Sequence, residues 1–264
     1  MSRLRDAFIK ARREKRTALV CYLMAGVPSP RTFIDHAMAC LEGGADVLEI
    51  GIPFSDPVAD GPVIQEASVV ALRNGVTPSN VLEMVRELRQ RTERPLVLMG
   101  YYNPIFRMGE EEFVKACVRS GADGLIVPDL PLHEGGSLRL ACERSGIDMV
   151  QLSTPLTPEA RHRALMKATS GFLYLVTRTG VTGGGSADGN GLVRMVEGSR
   201  KNDSELPLAA GFGISSPEHV KAARETGVDG VVVGSALVSL NLLETSPQEV
   251  MTVVRELVKA CAPD

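Results

Sequence analysis

GADVLEIG, at residues 44–51, is the first of four versions of one phrase; GADGLIVP (121–128), GIDMVQLS (146–153) and GVDGVVVG (227–234) are the others. Each sets a glycine before a small or branched apolar residue, an aspartate and an apolar run. The physical reading is a helix that ends at its glycine and passes at once into a buried strand. The intervals between phrases are 77, 25 and 81 residues. The middle one fits a single βα unit, and the outer two fit about three units each. Four more strands are then expected, and apolar runs stand at ALVCYLM (18–24), PLVLMGY (95–101), GFLYLVT (171–177) and PLAAGF (207–212). Helical stretches such as Asn80–Arg91 and Pro217–Thr226 lie between them.

Eight strands alternating with helices, with no shift of composition to mark a linker, predict an α/β protein. The expected architecture is a (βα)8 TIM barrel spanning residues 1–264 as a single domain. An open doubly wound sheet is the competing fold. It would show a glycine-rich fingerprint after its first strand, and Met24-Ala25-Gly26-Val27-Pro28 is not one. The start, MSRLRDAFIKARREKR, is basic enough to pass for a transit peptide, but it is poor in serine. Leu4, Phe8 and Ala11 share one helical face. Residues 1–16 are therefore expected to form an extra N-terminal helix, uncleaved, docked on the barrel.

With 264 residues, 44% hydrophobic, the chain can bury a core of that size. A net charge of −3 gives no charge-driven affinity for nucleic acid or anionic membrane. Cys21, Cys40, Cys117, Cys142 and Cys261 are odd in number, far apart and without a C-x-x-C pair. Neither a disulfide framework nor a zinc site is indicated, and a cytoplasmic location fits, with plastid targeting as the alternative. No apolar run approaches the roughly 18 residues that span a bilayer.

LEIGIPFSDPVADGP (48–62) carries the chemistry. Glu49 sits among apolar residues near the end of the second strand, on the same face as Val47. In such barrels the active site lies at the carboxyl ends of the strands. An inward Glu49 would stand in the mouth between apolar walls, where desolvation raises its pKa and suits it to proton transfer. The alternative is a structural glutamate paired with a buried cation, and the strands offer no obvious one except Arg178. Asp56 and Asp60 follow, in a segment broken by Pro53, Pro57 and Pro62.

Glycine-rich segments follow the last three strands: TRTGVTGGGSADGNG (177–191), GFGIS (211–215) and VGSA (233–236). Glycine lets a backbone approach a ligand closely, and the loops after strands seven and eight form the usual phosphate site of this architecture. There is no G-x-S-x-G elbow, H-E-x-x-H helix, Walker loop or dinucleotide fingerprint, and no metal is expected. His36, His133, His162 and His219 read as solvated surface residues.

LEIGIPFSDPVADGPVIQ (48–65), YYNPIF (101–106), IVPDLP (126–131), TRTGVTG (177–183), GFGISSPEHV (211–220) and VVVGSALV (231–238) together resemble the α subunit of tryptophan synthase. The match runs in order over nearly the whole chain. The resemblance implies a (βα)8 lyase that cleaves indole-3-glycerol phosphate by retro-aldol chemistry to indole and glyceraldehyde 3-phosphate. It makes Glu49 the general acid–base and Asp60 the partner of the ring N–H. Tyr22, Tyr101, Tyr174, Thr182 and Phe212 would contact the substrate, and Gly183, Gly213, Gly234 and Ser235 would hold its phosphate.

The resemblance also implies no cofactor in this chain and a pyridoxal-phosphate β subunit as partner in an α2β2 heterotetramer. Pro53, Asp56, Asn103 and Pro131 would face that partner. The chain departs from the family pattern at Met24, Val27, Val70 and Gly100, and in the many glycines of 183–191. A chain that mainly binds and activates a β partner, with weakened catalysis of its own, is the alternative function at this point. Another phosphate-binding barrel enzyme is a third reading.

Overall fold

Eight parallel strands pair in chain order, and the last closes on the first through Ala18↔Gly230 to Cys21↔Val233. The computed structural model describes residues 2–177 and 189–263. The chain runs α1 (Arg3–Arg13), β1 (Ala18–Met24), α2 (Pro30–Glu42), β2 (Val47–Gly51), α3 (Pro62–Arg73), α4 (Pro78–Arg89), β3 (Leu96–Met99), α5 (Tyr102–Met108), α6 (Glu110–Ser120) and β4 (Gly124–Ile126). It continues through α7 (Gly136–Ser145), β5 (Asp148–Ser153), α8 (Glu159–Ala168), β6 (Leu173–Val176), α9 (Gly189–Asn202), β7 (Leu208–Gly211), α10 (Pro217–Glu225), β8 (Gly230–Val233), α11 (Ser235–Leu242) and α12 (Pro247–Cys261).

All four phrase glycines have positive φ: +110° at Gly44, +86° at Gly121, +71° at Gly146 and +86° at Gly227. Each turns the chain out of a helix and into the strand that follows, as the phrase implied. The unit count is corrected in one place. The first long interval holds two βα units rather than three, because the connection from β2 to β3 is stretched over residues 52–95 by a long loop and two helices.

The phrase aspartates build the bottom of the barrel. Asp46 accepts the backbone N–H of Leu19 at 2.9 Å, Asp123 that of Leu96 at 2.8 Å and Asp229 that of Leu208 at 2.8 Å. Each carboxylate thus ties the start of its own strand to the strand before it. Each also meets an arginine: Arg16 grips Asp46 through two nitrogens at 2.6 and 2.8 Å, Arg89 pairs with Asp123, and Arg200 with Asp229. The fourth, Asp148, accepts from the Ser2 hydroxyl.

Helix α1 closes the same end. Leu4, Phe8 and Ala11 are buried, as their shared face predicts. The Phe8 ring reaches so far in that a Cβ on Gly230 would lie 2.4 Å from it. From Phe8 a line of rings climbs the barrel: Phe172 at 5.0 Å, then Tyr174 at 6.1 Å, then Phe212 at 5.7 Å.

Two histidines are not the solvated residues that their positions suggest. His36 is buried, with Nε2 at 2.9 Å from the Thr245 carbonyl. His162 is buried between the hydroxyls of Ser153 (2.7 Å) and Ser199 (2.8 Å). Burial pushes the His162 pKa down, and a neutral ring with both nitrogens hydrogen-bonded suits a buried site.

Candidate active site at the barrel mouth

Cross-strand register sets Tyr22 of β1 beside Glu49 of β2, and Glu49 beside Val97 of β3. These residues point inward. Burial raises the Tyr174 phenol, and the Glu49 charge, reaching from β2 to β6, raises it further, which only the interior allows. Two strand-end glycines make the room. A Cβ on Gly51 would lie 2.2 Å from the Tyr22 hydroxyl, and one on Gly211 would lie 2.2 Å from the Tyr174 hydroxyl. Both glycines stand in segments the sequence singled out, Gly51 closing GADVLEIG and Gly211 opening GFGIS, but neither was expected to make room for a tyrosine. Their signal is a glycine at a strand end beside an inward tyrosine on the neighbouring strand.

Glu49 is 1% exposed, and its Oε2 has no hydrogen-bond partner. Burial, with a smaller contribution from the nearby Asp60 charge, pushes its pKa from 4.5 up to about 8. Asp60 is buried too, but the Tyr101 hydroxyl donates to its Oδ2 at 3.1 Å. Burial raises Asp60 from 3.8 to about 6, and that hydrogen bond restrains the rise. Near neutrality one carboxyl keeps its proton and the other has released it.

The loop carrying Asp60 is tied down along its length. Ile52 N–H donates to the Met99 carbonyl at 2.8 Å. Ser68 on α3 both accepts from Phe54 N–H and donates to the Phe54 carbonyl, each at 2.8 Å. Phe54 stacks on Tyr101 at 5.2 Å, and Tyr101 accepts the Ala59 N–H at 2.9 Å. Gln65 donates to the Asp60 carbonyl at 3.0 Å. None of these supports was anticipated; Tyr101 was expected only as a substrate contact. At Gly100 the space for a side chain is taken, since a Cβ there would meet the Ile52 side chain at 3.0 Å.

Across the mouth, Phe212 and Gly213 follow β7, and Gly234 with Ser235 begins α11 directly after β8. Phe212 has φ of +69° and Gly213 of +94°, two consecutive residues on the left-handed side of backbone space. For a bulky residue this conformation costs of order 1–3 kcal/mol. Thr177, just past β6, spans this turn: its N–H donates to the Gly211 carbonyl at 3.0 Å, and its hydroxyl shares one proton between that carbonyl, at 2.9 Å, and the Phe212 carbonyl. Arg178, Thr182 and Gly183 lie outside the described residues.

The four residues expected to face a partner divide. Asp56 and Asn103 are exposed, Pro131 is half-buried, and Pro53 is buried where the loop leaves the rim. Beside them Val58 (74% exposed) and Phe106 (64%) present apolar side chains to solvent. Among the described residues no group of three or more His, Cys, Asp or Glu side chains is placed to hold a metal ion.

An acid that keeps its proton beside one that gives it up, set in the carboxyl-end rim of a βα barrel, is the equipment of a proton-transferring barrel enzyme. Comparison with known proteins narrows that class. Residues 8–262 match the family model described as tryptophan synthase alpha chain, and the chain belongs to that family. It is 43% identical over 262 residues to the tryptophan synthase alpha chain of Desulfatibacillum aliphaticivorans, covering 98% of this chain and 97% of that one. It is also 43% identical over 241 residues to that of Methanosarcina barkeri, covering 90% and 89%. A solved structure from Aquifex aeolicus VF5 superposes with a TM-score of 0.92 at 38% identity over the full length of both chains. A ligand-free tryptophan synthase from M. tuberculosis superposes with a TM-score of 0.89 at 31% identity, covering 99% of each. The chain is therefore a lyase that splits indole-glycerol phosphate in tryptophan synthesis.

Proposed function

We propose that Glu49 and Asp60 divide the chemistry of this cleavage. Protonated Glu49 delivers its proton to C3 of the indole ring. Ionised Asp60 accepts a hydrogen bond from the ring N–H and stabilises the positive charge that grows there. Breaking the bond between C3 and the glycerol side chain then releases the aldehyde, and Glu49 takes up the proton of the glycerol hydroxyl. One proton has moved from oxygen to carbon, and the glutamate is back where it began. The unlike ionisation of two buried carboxyls in one cavity, about 8 against about 6, is the observation behind this reading.

Tyr22, Tyr101, Tyr174 and Phe212 form the walls around the ring, with Thr182 assigned to the same pocket. Gly213, Gly234 and Ser235, with Gly183, take the phosphate, toward which the start of α11, with no side-chain cap at Gly234, can turn its first N–H groups. The partner is a β subunit carrying pyridoxal phosphate, in an α2β2 assembly, and this chain supplies it with indole. The M. tuberculosis neighbours are solved as tryptophan synthase, one in an aminoacrylate-bound form, which favours such a partner. Asp56, Asn103 and Pro131, beside exposed Val58 and Phe106, are suited to receive it at the mouth, while buried Pro53 stiffens the loop beneath. Five free, buried cysteines fit the cytoplasm. Purified Glu49→Gln and Asp60→Asn variants test the roles: each folds and loses indole release from indole-3-glycerol phosphate, and full activity in either one refutes its assignment.

A further inference from the structure

The strained turn after β7 needs something to hold it, and among the described residues the Thr177 side chain reaches its carbonyls. Phe212 adopts a left-handed backbone, φ +69°, which a bulky side chain leaves unless it is restrained. The Thr177 hydroxyl lies within hydrogen-bonding reach of the two carbonyls that flank Phe212, those of Gly211 and of Phe212 itself, and shares its single proton between them. Thr177 itself is fixed by its own N–H on the Gly211 carbonyl at 3.0 Å. Relaxing Phe212 to negative φ would swing its carbonyl away from that hydroxyl and move its ring off the edge of Tyr174, 5.7 Å away. It would also redirect the backbone of Gly213, the next residue.

We propose that Thr177 is a positioning residue: its hydroxyl holds the 211–213 turn in the strained form that presents Gly213 to the substrate's phosphate and Phe212 to its ring. The proposal rests on the phosphate assignment made above. It predicts a loss carried by the hydroxyl alone, because a valine at the same place keeps the branched shape and the N–H bond.

Inorganic phosphate binding, measured by calorimetry on the full chain, and the KM and kcat for indole-3-glycerol phosphate provide the test. Thr177→Val weakens phosphate binding about tenfold and raises KM in step, with a smaller change in kcat, while Thr177→Ser stays within about twofold of the native chain. In a Phe212→Gly background, where a left-handed backbone carries little strain, the same Thr177→Val change costs less than about threefold. A Thr177→Val chain that binds phosphate normally overturns the proposal, including one that has merely lost thermal stability. So does an equal loss in both backgrounds, which would make Thr177 a prop independent of the strained residue. A native chain that binds no phosphate would instead sink the assignment of Gly213, Gly234 and Ser235, and the proposal with it.

Discussion

Glu49 and Asp60 differ less in burial than in company. Glu49 has a buried oxygen without a hydrogen-bond partner, whereas Asp60 has the Tyr101 hydroxyl. Asp60 is ionised above about 6 and Glu49 protonated below about 8. The kcat/KM for indole release therefore rises with pH through the first value and falls through the second, and a profile flat across both would remove the pair from the chemistry. Tyr101→Phe takes from Asp60 a bond that favours its ionised form and leaves the Ala59 N–H without its acceptor. The acidic limb of the profile then moves upward and kcat/KM falls about tenfold, measurable in the same titration. A limb that stays in place would show that Tyr101 only shapes the pocket.

At the level of helices and strands, the glycine of each repeated phrase was legible because positive φ leaves a mark in the choice of residue. The aspartate two places later was visible but mute. Its arginine lies 30 residues away for Asp46, 34 for Asp123 and 29 for Asp229, on separations that share no period with the phrase. Asp46→Ala leaves Arg16 half-paired and the Leu19 N–H without its acceptor, and destabilises the chain by about 3–5 kcal/mol in urea unfolding. A loss under about 1 kcal/mol would reduce the clamp to an ordinary surface pair. The same limit applies at the mouth. Glu49 stood out as a charge in an apolar run, but the importance of Thr177 depends on the backbone angle of a residue 35 positions away, which no side-chain pattern records. Pro53, expected to face a partner, is buried by the chain itself where its loop leaves the rim, and a proline in a loop reads alike whether buried or exposed.

Taken whole, the molecule keeps its fastenings at one end and its chemistry at the other. Helix α1 and the aspartate clamps close the bottom, and the two acids and the late turns occupy the top. Phe8→Ala empties the space beneath Phe172 and costs about 3–5 kcal/mol of stability, read as a lowered urea midpoint. Since Phe8 is separated from Phe212 by two intervening rings, the purified variant retains its KM at low temperature. A raised KM would mean that the column of rings transmits the defect to the site. The chain has four tyrosines and no tryptophan, and Tyr22, Tyr101 and Tyr174 all surround the mouth. Three of its four tyrosines therefore emit within reach of the bound indole ring, whose absorption overlaps tyrosine emission. Occupancy of the pocket can be followed as quenching of the protein's own light, without a dye or a label.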